Sequence, residues 1–418
     1  MKERFLQIAY AQKETLKAKT GLIERDLMPL AKQLLLSDNR VLIVTGMRRV
    51  GKSTLLQQLM ATLDNYCYFN FEDEKLLGFT VAQFGELEEA LIEVYGASDH
   101  WFFDEIQNVS NYEIAVRRMQ DGGKKMVLTG SNSSMLSLEF GSKLTGRYRQ
   151  LELFPFSFRE YLRFRGHTVQ DKDFYLPEGK VELKTWFIKW MQEGGLPEYL
   201  KYNDSEYVKT LFDNILYRDI IVRYNIRRHR EFRELVQLLV SNLSMPFTFT
   251  SLQRSIGLSN SDTVKEYLGF LSNAYLFYEM YQYHSSVKKQ LRSPRKVYIN
   301  DVAFHRLVGF STTPNQGRKL ENGVFLALRR QTSAVYSYNG KGECDFIVSG
   351  ENQRPKAIQV CYQLSPENQA RELNGITEAM AAFDSNEGVI LTLDQESELK
   401  HNATTIPVIP VWKWMLKR

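Results

Sequence analysis

The segment from Gly46 to Ser53 constrains this 418-residue chain more than any other part of it. It reads Gly-Met-Arg-Arg-Val-Gly-Lys-Ser and directly follows an apolar run at 41–44. The two glycines let the backbone curl so that its N–H groups point at phosphate oxygens. A helix predicted over 54–60 presents its positive dipole end to the same anion. Strand, loop and helix in this order predict a nucleotide-binding loop.

Two side chains in this loop are typical of ATP chemistry. Lys52 is expected to reach the β- and γ-phosphates of ATP, and the Ser53 hydroxyl is expected to ligate Mg²⁺. Polar residues also follow a strand predicted at 125–130, at the edge where parallel sheets bind ligands. Asn132 or Ser131 is therefore a candidate sensor of the γ-phosphate, although both are equally typical of a turn or helix cap. The predicted ATP-binding residues are Gly46, Arg49, Gly51, Lys52, Ser53, Thr54 and Asn132.

Two adjacent carboxylates complete the predicted nucleotide site. Asp104 and Glu105 end a short apolar run that begins at His100. This pattern predicts a buried strand whose end faces a ligand. Asp104 is expected to hold Mg²⁺, directly or through water, and Glu105 is expected to polarise the attacking water. A solvated surface pair is the alternative, but the position of the pair after the loop argues against it.

Composition favours a globular protein of the cytoplasm. Apolar residues make up 43% and charged residues 25%, and the net charge of +5 permits contact with nucleic acid without arguing for it. The three cysteines lack metal-binding spacing and suit a reducing compartment. No apolar run approaches the ~18 residues that span a bilayer, and the N-terminal residues do not resemble a signal peptide. We therefore expect a cytoplasmic protein without a membrane segment.

The order of predicted elements indicates a multi-domain α/β chain. Strands alternate with helical patterns in the first part, which predicts a P-loop NTPase core with a parallel sheet. An aromatic-rich helical stretch follows, and we interpret it as a lid beside the nucleotide site. The predicted domains are an N-terminal helical segment (1–22), a P-loop ATPase domain (23–160), a helical lid (161–230), a winged-helix-like domain (231–296) and a nuclease-like α/β domain (297–418).

A helix–turn–helix is predicted within the winged-helix-like domain. A capped helix ends at Gly257, a Ser/Asn turn follows, and a second helix with an apolar face covers 263–272. Residues 284–296 then hold five Lys or Arg and no acid, which we interpret as a basic wing for a phosphate backbone. Because Lys265 on the second helix is followed by Glu266, that helix is not strongly basic, and we favour a structural or protein-contact role over direct DNA contact for this domain.

These motifs resemble those of one group of prokaryotic proteins. The chain is similar over nearly its whole length to AAA-type P-loop ATPases that carry a C-terminal restriction-endonuclease-like domain of uncharacterised function. The resemblance implies that Lys52, Ser53, Asp104 and Glu105 form an ATP site. The segments that carry it are Gly-Met-Arg-Arg-Val-Gly-Lys-Ser-Thr, Phe-Phe-Asp-Glu-Ile-Gln, Leu-Thr-Gly-Ser-Asn-Ser, Leu-Thr-Gly-Arg-Tyr, Leu-Phe-Pro-Phe-Ser-Phe-Arg-Glu-Tyr, Gly-Gly-Leu-Pro-Glu-Tyr and Tyr-Arg-Asp-Ile.

The resemblance also implies a catalytic arginine. A Gly-Arg pair that is taken in the group as a candidate arginine finger corresponds to Arg147, whose guanidinium would stabilise charge on the transferring phosphoryl group. By local sequence alone Arg147 is an ordinary surface residue, and Arg48 and Arg49 in the loop are alternative cationic partners. Action of Arg147 on a neighbouring copy would require a homo-oligomer.

The C-terminal third resembles the restriction-endonuclease-like fold but departs from it at the catalytic positions. That fold places a Glu on a first helix, an Asp on a strand and Glu-x-Lys on the next strand. Glu321 and Asp345 match the first two positions, whereas Gln359 and Cys361 stand in place of the Glu and the Lys of the Glu-x-Lys pair. An amide and a thiol supply neither a charged metal ligand nor an ammonium. We therefore predict a degenerate nuclease site, with Lys356 as an alternative source of the ammonium.

The preferred function is an ATP-binding and ATP-hydrolysing molecular switch. It would use Mg²⁺ and reposition its C-terminal modules on a partner, for which double-stranded DNA is a candidate. One alternative is an ATP-dependent nucleic-acid-processing enzyme with an active C-terminal nuclease. The other is a scaffold that binds ATP without hydrolysing it.

Overall fold

The structure is a computed structural model that describes residues 2–18, 20–131, 146–309, 315–350, 353–401 and 404–417. Contacts within the chain divide it into two units. The first unit comprises Met1–Phe154 with Asn273–Tyr275, and the second comprises Pro155–Ser272 with Leu276–Arg418. Of the described helices, none is both long enough and apolar enough to cross a bilayer.

The first unit is built on a sheet in which every neighbouring pair of strands is parallel. Its strands are β1 (Val41–Thr45), β2 (Cys67–Asn70), β3 (His100–Asp104), β4 (Lys125–Gly130) and β5 (Tyr148–Glu152). They lie in the order β2-β3-β4-β1-β5. Every residue of β1 is buried, as expected for a parallel strand covered on both faces. The predicted α/β core with a parallel sheet is confirmed.

Helices alternate with these strands along the chain. They are α1 (Lys2–Lys17), α2 (Met28–Ser37), α3 (Lys52–Met60), α4 (Phe84–Tyr95) and α5 (Tyr112–Asp121), with 3-10 turns at Glu74–Leu76, Val81–Gln83 and Ile106–Asn108. An aromatic cluster anchors α4 to the sheet, where Phe84 packs edge-on against Phe103 of β3 with ring centroids 5.9 Å apart. Because aromatic rings bury large apolar areas, this cluster stabilises the side of the sheet that carries β3.

The second unit begins with a helical region. Its helices are α6 (Phe158–Phe164), α7 (Pro177–Glu193), α8 (Pro197–Tyr202), α9 (Ser205–Asn214), α10 (His229–Ser241), α11 (Phe249–Ser255) and α12 (Ser261–Asn273), with a 3-10 turn at Asp171–Phe174 and a π-helical segment at Ile215–Val222. Pro177 and Pro197 begin their helices at a position where the missing N–H costs nothing. Ser157 and Glu160 form a reciprocal capping box at the start of α6.

A small antiparallel sheet accompanies α11 and α12. It contains β6 (Pro246–Phe247), β7 (Phe277–Tyr281) and β8 (Arg295–Ile299) in the order β6-β8-β7, and helix α13 (Val287–Arg292) precedes β8. Arg295 and Lys296 belong to β8 and are buried. The prediction that all five cations of 284–296 form an exposed basic wing is therefore wrong for these two. Arg295 pairs with Glu279 at 2.6 Å, and Lys296 pairs with carboxylates described below.

A larger mixed sheet forms the C-terminal region. Its strands are β9 (Val335–Asn339), β10 (Glu343–Gly350), β11 (Gln353–Val360), β12 (Gly388–Thr392), β13 (Ser397–His401) and β14 (Thr404–Pro410), in the order β13-β14-β12-β11-β10-β9. Strands β11, β12 and β14 are parallel, whereas β10 is antiparallel to both of its neighbours. The helices of this region are α14 (Val302–Val308), α15 (Gln316–Arg329), α16 (Gln369–Ala382) and α17 (Val411–Lys417). Winged-helix and nuclease-like assignments within the second unit stay predictions.

A buried carboxylate joins the helical and C-terminal regions of the second unit. Asp301 is 3% exposed and accepts hydrogen bonds from the N–H of Gly195 at 2.7 Å and of Ala303 at 2.8 Å. Gly194 has φ +79°, and a Cβ there would lie 1.9 Å from Asp301 Oδ1. Gly194 is therefore needed to admit this carboxylate, whereas Gly195 is needed because a Cβ there would lie 2.3 Å from the Phe156 carbonyl oxygen.

Asp301 should make the stability of the second unit depend on pH. Burial raises the pKa of Asp301 from 3.8 to about 6, although the two backbone N–H groups oppose the rise. The folded state then binds the proton more tightly than the unfolded state, so stability present at low pH is lost as pH rises. We expect wild type to lose about 2 kcal/mol relative to Asp301→Asn between about pH 4 and pH 7. Urea unfolding across that range measures the difference.

The exposed Asp171 supplies the control for this measurement. Asp171→Asn should follow the wild-type pH profile closely, because no buried carboxylate is changed. A difference in unfolding free energy between wild type and Asp301→Asn that stays constant across the range would contradict this prediction. It would show that ionisation of Asp301 does not destabilise the folded state.

Candidate nucleotide site and C-terminal charge cluster

The predicted phosphate loop lies between β1 and α3, at the carboxyl edge of the parallel sheet. Gly46 has φ +140°, and a Cβ there would lie 2.2 Å from the Leu153 carbonyl oxygen. Gly51 has φ +98° and is the N-cap of α3. Other residues rarely adopt these conformations, so the loop requires glycine at both positions. The first N–H groups of α3 have no intrahelical acceptors, and the loop therefore suits an anion.

Lys52 is the first residue of α3 and is 4% exposed. Its Nζ donates to the carbonyl oxygens of Gly46 and Met47, each at 3.2 Å. The same Nζ lies 3.7 Å from Glu105 Oε1. The side chain thus folds back over the loop, which places a buried positive charge at the position where phosphate oxygens would bind.

Asp104 ends β3 and is fully buried. Its carboxylate accepts hydrogen bonds from the hydroxyls of Thr129, of Tyr68 at 3.2 Å, and of Ser53. Burial raises the pKa of Asp104, and the bonds from Ser53 and Thr129 oppose this rise. Ser53 and Asp104 bring a hydroxyl and a carboxylate oxygen together, and Mg²⁺ prefers oxygen ligands. The residues present therefore fit this ion.

Glu105 follows directly and has left-handed backbone geometry, with φ +51°. Its N–H donates to Thr129 Oγ1 at 2.9 Å, and its carboxylate accepts from the Gln107 side-chain amide. The Glu105 side chain is 17% exposed, so water can approach it. A non-glycine residue with positive φ is strained, and such strain is concentrated at functional sites.

Sequence reasoning missed Thr129, Gln107 and Arg25. Thr129 is a buried polar residue near the end of the apolar strand β4, which is the signal that could have identified it. No local sequence pattern marks Arg25 as part of the site. Its guanidinium donates to the carbonyls of Val50 at 2.8 Å and Phe154 at 2.5 Å, which are distant in sequence. Arg25 is 2% exposed and ties the phosphate loop to the segment after β5.

Arg147 lies away from this site within its own chain. It directly precedes β5 at the amino edge of the sheet, where its carbonyl accepts from the Val41 N–H. Its guanidinium pairs with Asp121 at 2.6 Å, and both side chains are about half exposed. The length of β1, about 13 Å, separates this edge from the phosphate loop. The structure therefore does not bring Arg147 to its own chain's predicted ATP site.

The remaining predicted ATP contacts have varied surroundings. Asn132 lies outside the described residues, whereas Ser131 is buried and its hydroxyl accepts from the Gln107 amide at 3.4 Å. Arg48 pairs with Glu72 at 3.6 Å. Arg49 is exposed with φ +67°, and Thr54 is partly buried in the first turn of α3. Among the predicted ATP contacts, the loop backbone and Lys52 therefore have the best-defined surroundings.

A second cluster of charged side chains lies in the C-terminal region. Lys296 Nζ lies 3.1 Å from Glu321 and from Glu343, and 3.2 Å from Asp345. The Lys296 side chain is 7% exposed. Burial alone would lower the pKa of Lys296, but the carboxylates hold it well above its ordinary value. Burial, and then the nearby Asp345, raise the pKa of Glu321 to about 7. An ammonium therefore occupies the centre of the predicted nuclease site.

Gln359 and Cys361, the two residues that depart from the nuclease pattern, are buried and hydrogen-bonded within the protein. Gln359 Oε1 accepts from the Asp345 N–H at 3.1 Å, and its Nε2 donates to Glu372 at 2.6 Å. Cys361 donates to the Gln363 carbonyl at 3.1 Å, and burial raises the pKa of its thiol. Both side chains thus have structural partners.

The ammonium in this cluster comes from a residue that the sequence did not indicate. Lys356, the predicted alternative, pairs with Glu387 at 2.6 Å and is about half exposed. Lys296 stands before Glu321 in the chain, on β8, and the packing of β8 beside α15 brings it to the cluster, where it meets Glu343 and Asp345 of β10.

Comparison with known families agrees with the geometry of the first unit. A family model described as an AAA domain matches residues 38–162, and a domain of unknown function, DUF8612, matches residues 184–313. Together with the parallel sheet and the glycine-dependent loop, the first match defines an AAA-type P-loop domain.

Known relatives place the whole chain in a family. The uncharacterized protein MJ1544 of Methanocaldococcus jannaschii is 31% identical over 419 residues, which cover 95% of this chain and 92% of that protein. The chain belongs to the same family as MJ1544. It is also 26% identical over 343 residues to an uncharacterized protein of Haemophilus influenzae, covering 78% of this chain and 83% of that protein. The Walker-type ATPase PABY2304 of Pyrococcus abyssi aligns with a TM-score of 0.46 and 14% identity, over 70% of this chain and 99% of that one.

Removing the Lys296 charge should destabilise the second unit strongly. Lys296→Met leaves three carboxylates without their shared cation, and breaking a buried ion pair in this way costs about 3–5 kcal/mol. Lys356→Met, which breaks a half-exposed pair, should cost less than about 1 kcal/mol. Urea unfolding followed by tryptophan fluorescence compares the two variants.

Acidic pH should narrow the difference between Lys296→Met and wild type, because protonated carboxylates no longer need a counter-ion. Equal losses in Lys296→Met and Lys356→Met would contradict a buried charge cluster centred on Lys296.

Proposed function

We propose that this protein is an ATP-hydrolysing molecular switch of the AAA type. One observation carries the proposal. Lys52 and Ser53 begin α3, whereas Asp104 and Glu105 come from the end of β3, and these two pairs of side chains contact each other at one edge of a parallel sheet. An ammonium, a hydroxyl and two carboxylates are the groups needed to bind a triphosphate with its metal and to activate water.

The loop and α3 would bind the phosphates of ATP. Lys52 would exchange its bonds to the Gly46 and Met47 carbonyls for bonds to the β- and γ-phosphate oxygens. Ser53 and Asp104 would hold Mg²⁺, which neutralises phosphate charge when bound. The other proposed ATP contacts are Gly46, Arg49, Gly51, Thr54 and Asn132.

Glu105 would orient and polarise the water that attacks the γ-phosphate. Its backbone is fixed by the bond to Thr129, which also bonds Asp104. One buried hydroxyl thus couples the position of the general base to that of the metal-binding carboxylate. A scaffold that only stores ATP has no need of an acid aligned in this way, so the arrangement favours hydrolysis.

Arg147 would serve the site of a neighbouring copy. Its place at the amino edge of the sheet and its exposure support action in trans over action in cis. An arginine supplied by a neighbour would link hydrolysis to assembly of a homo-oligomer.

The nucleotide state would reposition the second unit on a partner. The division of the chain into two units supports such a movement. Double-stranded DNA is the proposed partner, in the cytoplasm, and stimulation of phosphate release by DNA would support it.

The ATP site is tested by Lys52→Ala and Glu105→Gln. Lys52→Ala should abolish detectable ATP binding, because it removes the buried cation of the loop. Glu105→Gln should bind ATP but lose at least about 10²-fold in turnover, since the general base is lost. Fluorescent-nucleotide binding and steady-state phosphate release separate these effects.

Lys32→Ala and Glu74→Gln change exposed residues of the same unit and serve as controls. Both should retain wild-type binding and turnover. Undiminished turnover in Glu105→Gln would overturn the assignment of Glu105, and no turnover in wild type would favour the non-hydrolysing scaffold.

An active C-terminal nuclease is the second candidate function, and the position of Lys296 favours it. This residue returns an ammonium to the side of Glu321 and Asp345. However, the ammonium is paired with three carboxylates. Both the oxygen and the nitrogen of the Gln359 amide are hydrogen-bonded within the protein. We infer that the cluster is satisfied internally and does not cleave nucleic acid.

Plasmid incubated with Mg²⁺ or Mn²⁺, with and without ATP, tests this inference. We expect the supercoiled form to persist with wild type, because Gln359 stands where the pattern requires a metal-binding carboxylate and Lys296 neutralises the acids that are present. Nicking that disappears in Asp345→Ala but persists in Lys356→Met would establish the nuclease instead.

A further inference from the structure

Five arginines form an exposed basic surface in the second unit. Arg223, Arg227, Arg228, Arg230 and Arg233 lie between the end of the π-helical segment and the second turn of α10, and each is exposed. We call this set the arginine turn. It lies outside the segment 284–296 that the sequence suggested for phosphate contact.

The arginine turn has a defined backbone. Asn225 adopts left-handed geometry with φ +49°, and the Ile226 N–H donates to the Ile221 carbonyl at 3.0 Å. This pattern closes the preceding helix in the manner of a C-terminal cap. Ile226 is buried beneath the turn. The arginines are therefore presented from a fixed backbone.

Aromatic contacts hold the arginine turn against α12. The ring of Tyr224 stacks on Phe270 of α12 with centroids 3.9 Å apart, and Phe232 packs edge-on against Tyr267 with centroids 5.2 Å apart. Helix α12 is the second helix of the predicted helix–turn–helix. A basic surface beside such a helix is placed to contact the phosphate backbone while the helix faces a groove.

Few acids neutralise this surface. Arg230 pairs with Glu234 at 2.8 Å. In the described part of the chain, the other four arginines form no ion pair with a carboxylate within 4.0 Å. Glu231 and Glu266 lie near Tyr267 and reduce the positive potential there without pairing these arginines. The surface keeps a clear excess of positive charge.

The start of α10 adds an independent reason for an anion at this place. Arg228 is the N-cap of α10 and makes no side-chain capping bond. Cations near the positive end of a helix dipole are unfavourable, and a helix usually begins with a residue that accepts from its free N–H groups. A bound phosphate would satisfy these groups and offset the repulsion.

We propose that the arginine turn binds the phosphate backbone of double-stranded DNA. This proposal assigns a binding surface for the DNA partner of the proposed function. It rests on DNA being that partner, but it does not depend on ATP hydrolysis. The planar guanidinium groups suit bidentate contact with phosphate oxygens. Segment 284–296, which the sequence suggested as a basic wing, is expected to contribute less to DNA binding. Its Arg295 and Lys296 are buried, and its exposed cations lie on α13.

Two triple variants with the same loss of charge test the proposal. Arg223→Gln, Arg227→Gln and Arg228→Gln are combined in the turn variant. Lys288→Gln, Lys289→Gln and Arg292→Gln are combined in the control variant on α13. Fluorescence anisotropy measures binding to a labelled mixed-sequence duplex of about 20 base pairs, over about 50–200 mM KCl.

The turn variant should bind the duplex at least about 10-fold more weakly than wild type, and its salt dependence should be shallower by a slope of about 2–3, since three phosphate contacts are lost. The control variant should stay within about 2-fold of wild type. Equal losses in both variants would show a net-charge effect and overturn the proposal. Failure of wild type to bind the duplex, or equal binding of single-stranded DNA, would also overturn it.

ATP turnover distinguishes failure of this proposal from failure of the proposed function. Without DNA, the turn variant should hydrolyse ATP at the wild-type rate, because the substitutions lie outside the nucleotide site. If wild type binds the duplex through the arginine turn but releases no phosphate, the switch is wrong and the DNA surface stands. If wild type hydrolyses ATP and the turn variant keeps full duplex affinity, the DNA surface is wrong.

Discussion

The hydrogen bonds that satisfy the buried carboxylate of Asp104 hold the nucleotide site together. A carboxylate without solvent costs several kcal/mol unless its oxygens are bonded, and the hydroxyls of Ser53, Thr129 and Tyr68 meet that need. These bonds join the start of α3 to three strands of the sheet. The Thr129 hydroxyl also receives the Glu105 N–H. The loop at 46–53, the proposed metal-binding acid Asp104 and the proposed general base Glu105 are therefore positioned by one polar network.

Buried charge has a different role in the second unit. Lys296 is enclosed with the carboxylates it neutralises, and Asp301 is enclosed by backbone N–H groups and glycines. These groups bind other parts of the protein, whereas Lys52 and Glu105 lie at a sheet edge that a ligand can reach. The two lysines are similarly buried and differ in their partners: Lys296 is paired with three carboxylates, whereas Lys52 is bonded to the Gly46 and Met47 carbonyls, bonds that the proposed phosphate contacts would replace.

Sequence reasoning identified the parallel core and the residues of the loop because these features depend on neighbours in the chain. Gly46, Gly51 and Lys52 form a local pattern whose geometry follows from backbone conformation and helix polarity. Thr129 was missed because its partners are on another strand, and Arg25 because its acceptors are far away in sequence. The basic wing was partly wrong for a related reason. Five cations within a 13-residue segment do not reveal that two of them, Arg295 and Lys296, lie on a buried strand and pair with carboxylates there.

Short-range patterning was enough to predict the glycine-dependent loop at 46–53 and the buried strand that leads into Asp104 and Glu105, because neighbouring residues largely set strand, turn and helix. Which charges are exposed could be learned from the folded chain alone. It placed Arg147 at the sheet edge opposite the loop, enclosed Lys296 among acids, and left the arginine turn exposed while Tyr224 packs against α12. Burial and ion pairing depend on contacts between distant segments. The residue type of a charged side chain does not reveal whether it is surrounded by water, by a carboxylate or by a ligand.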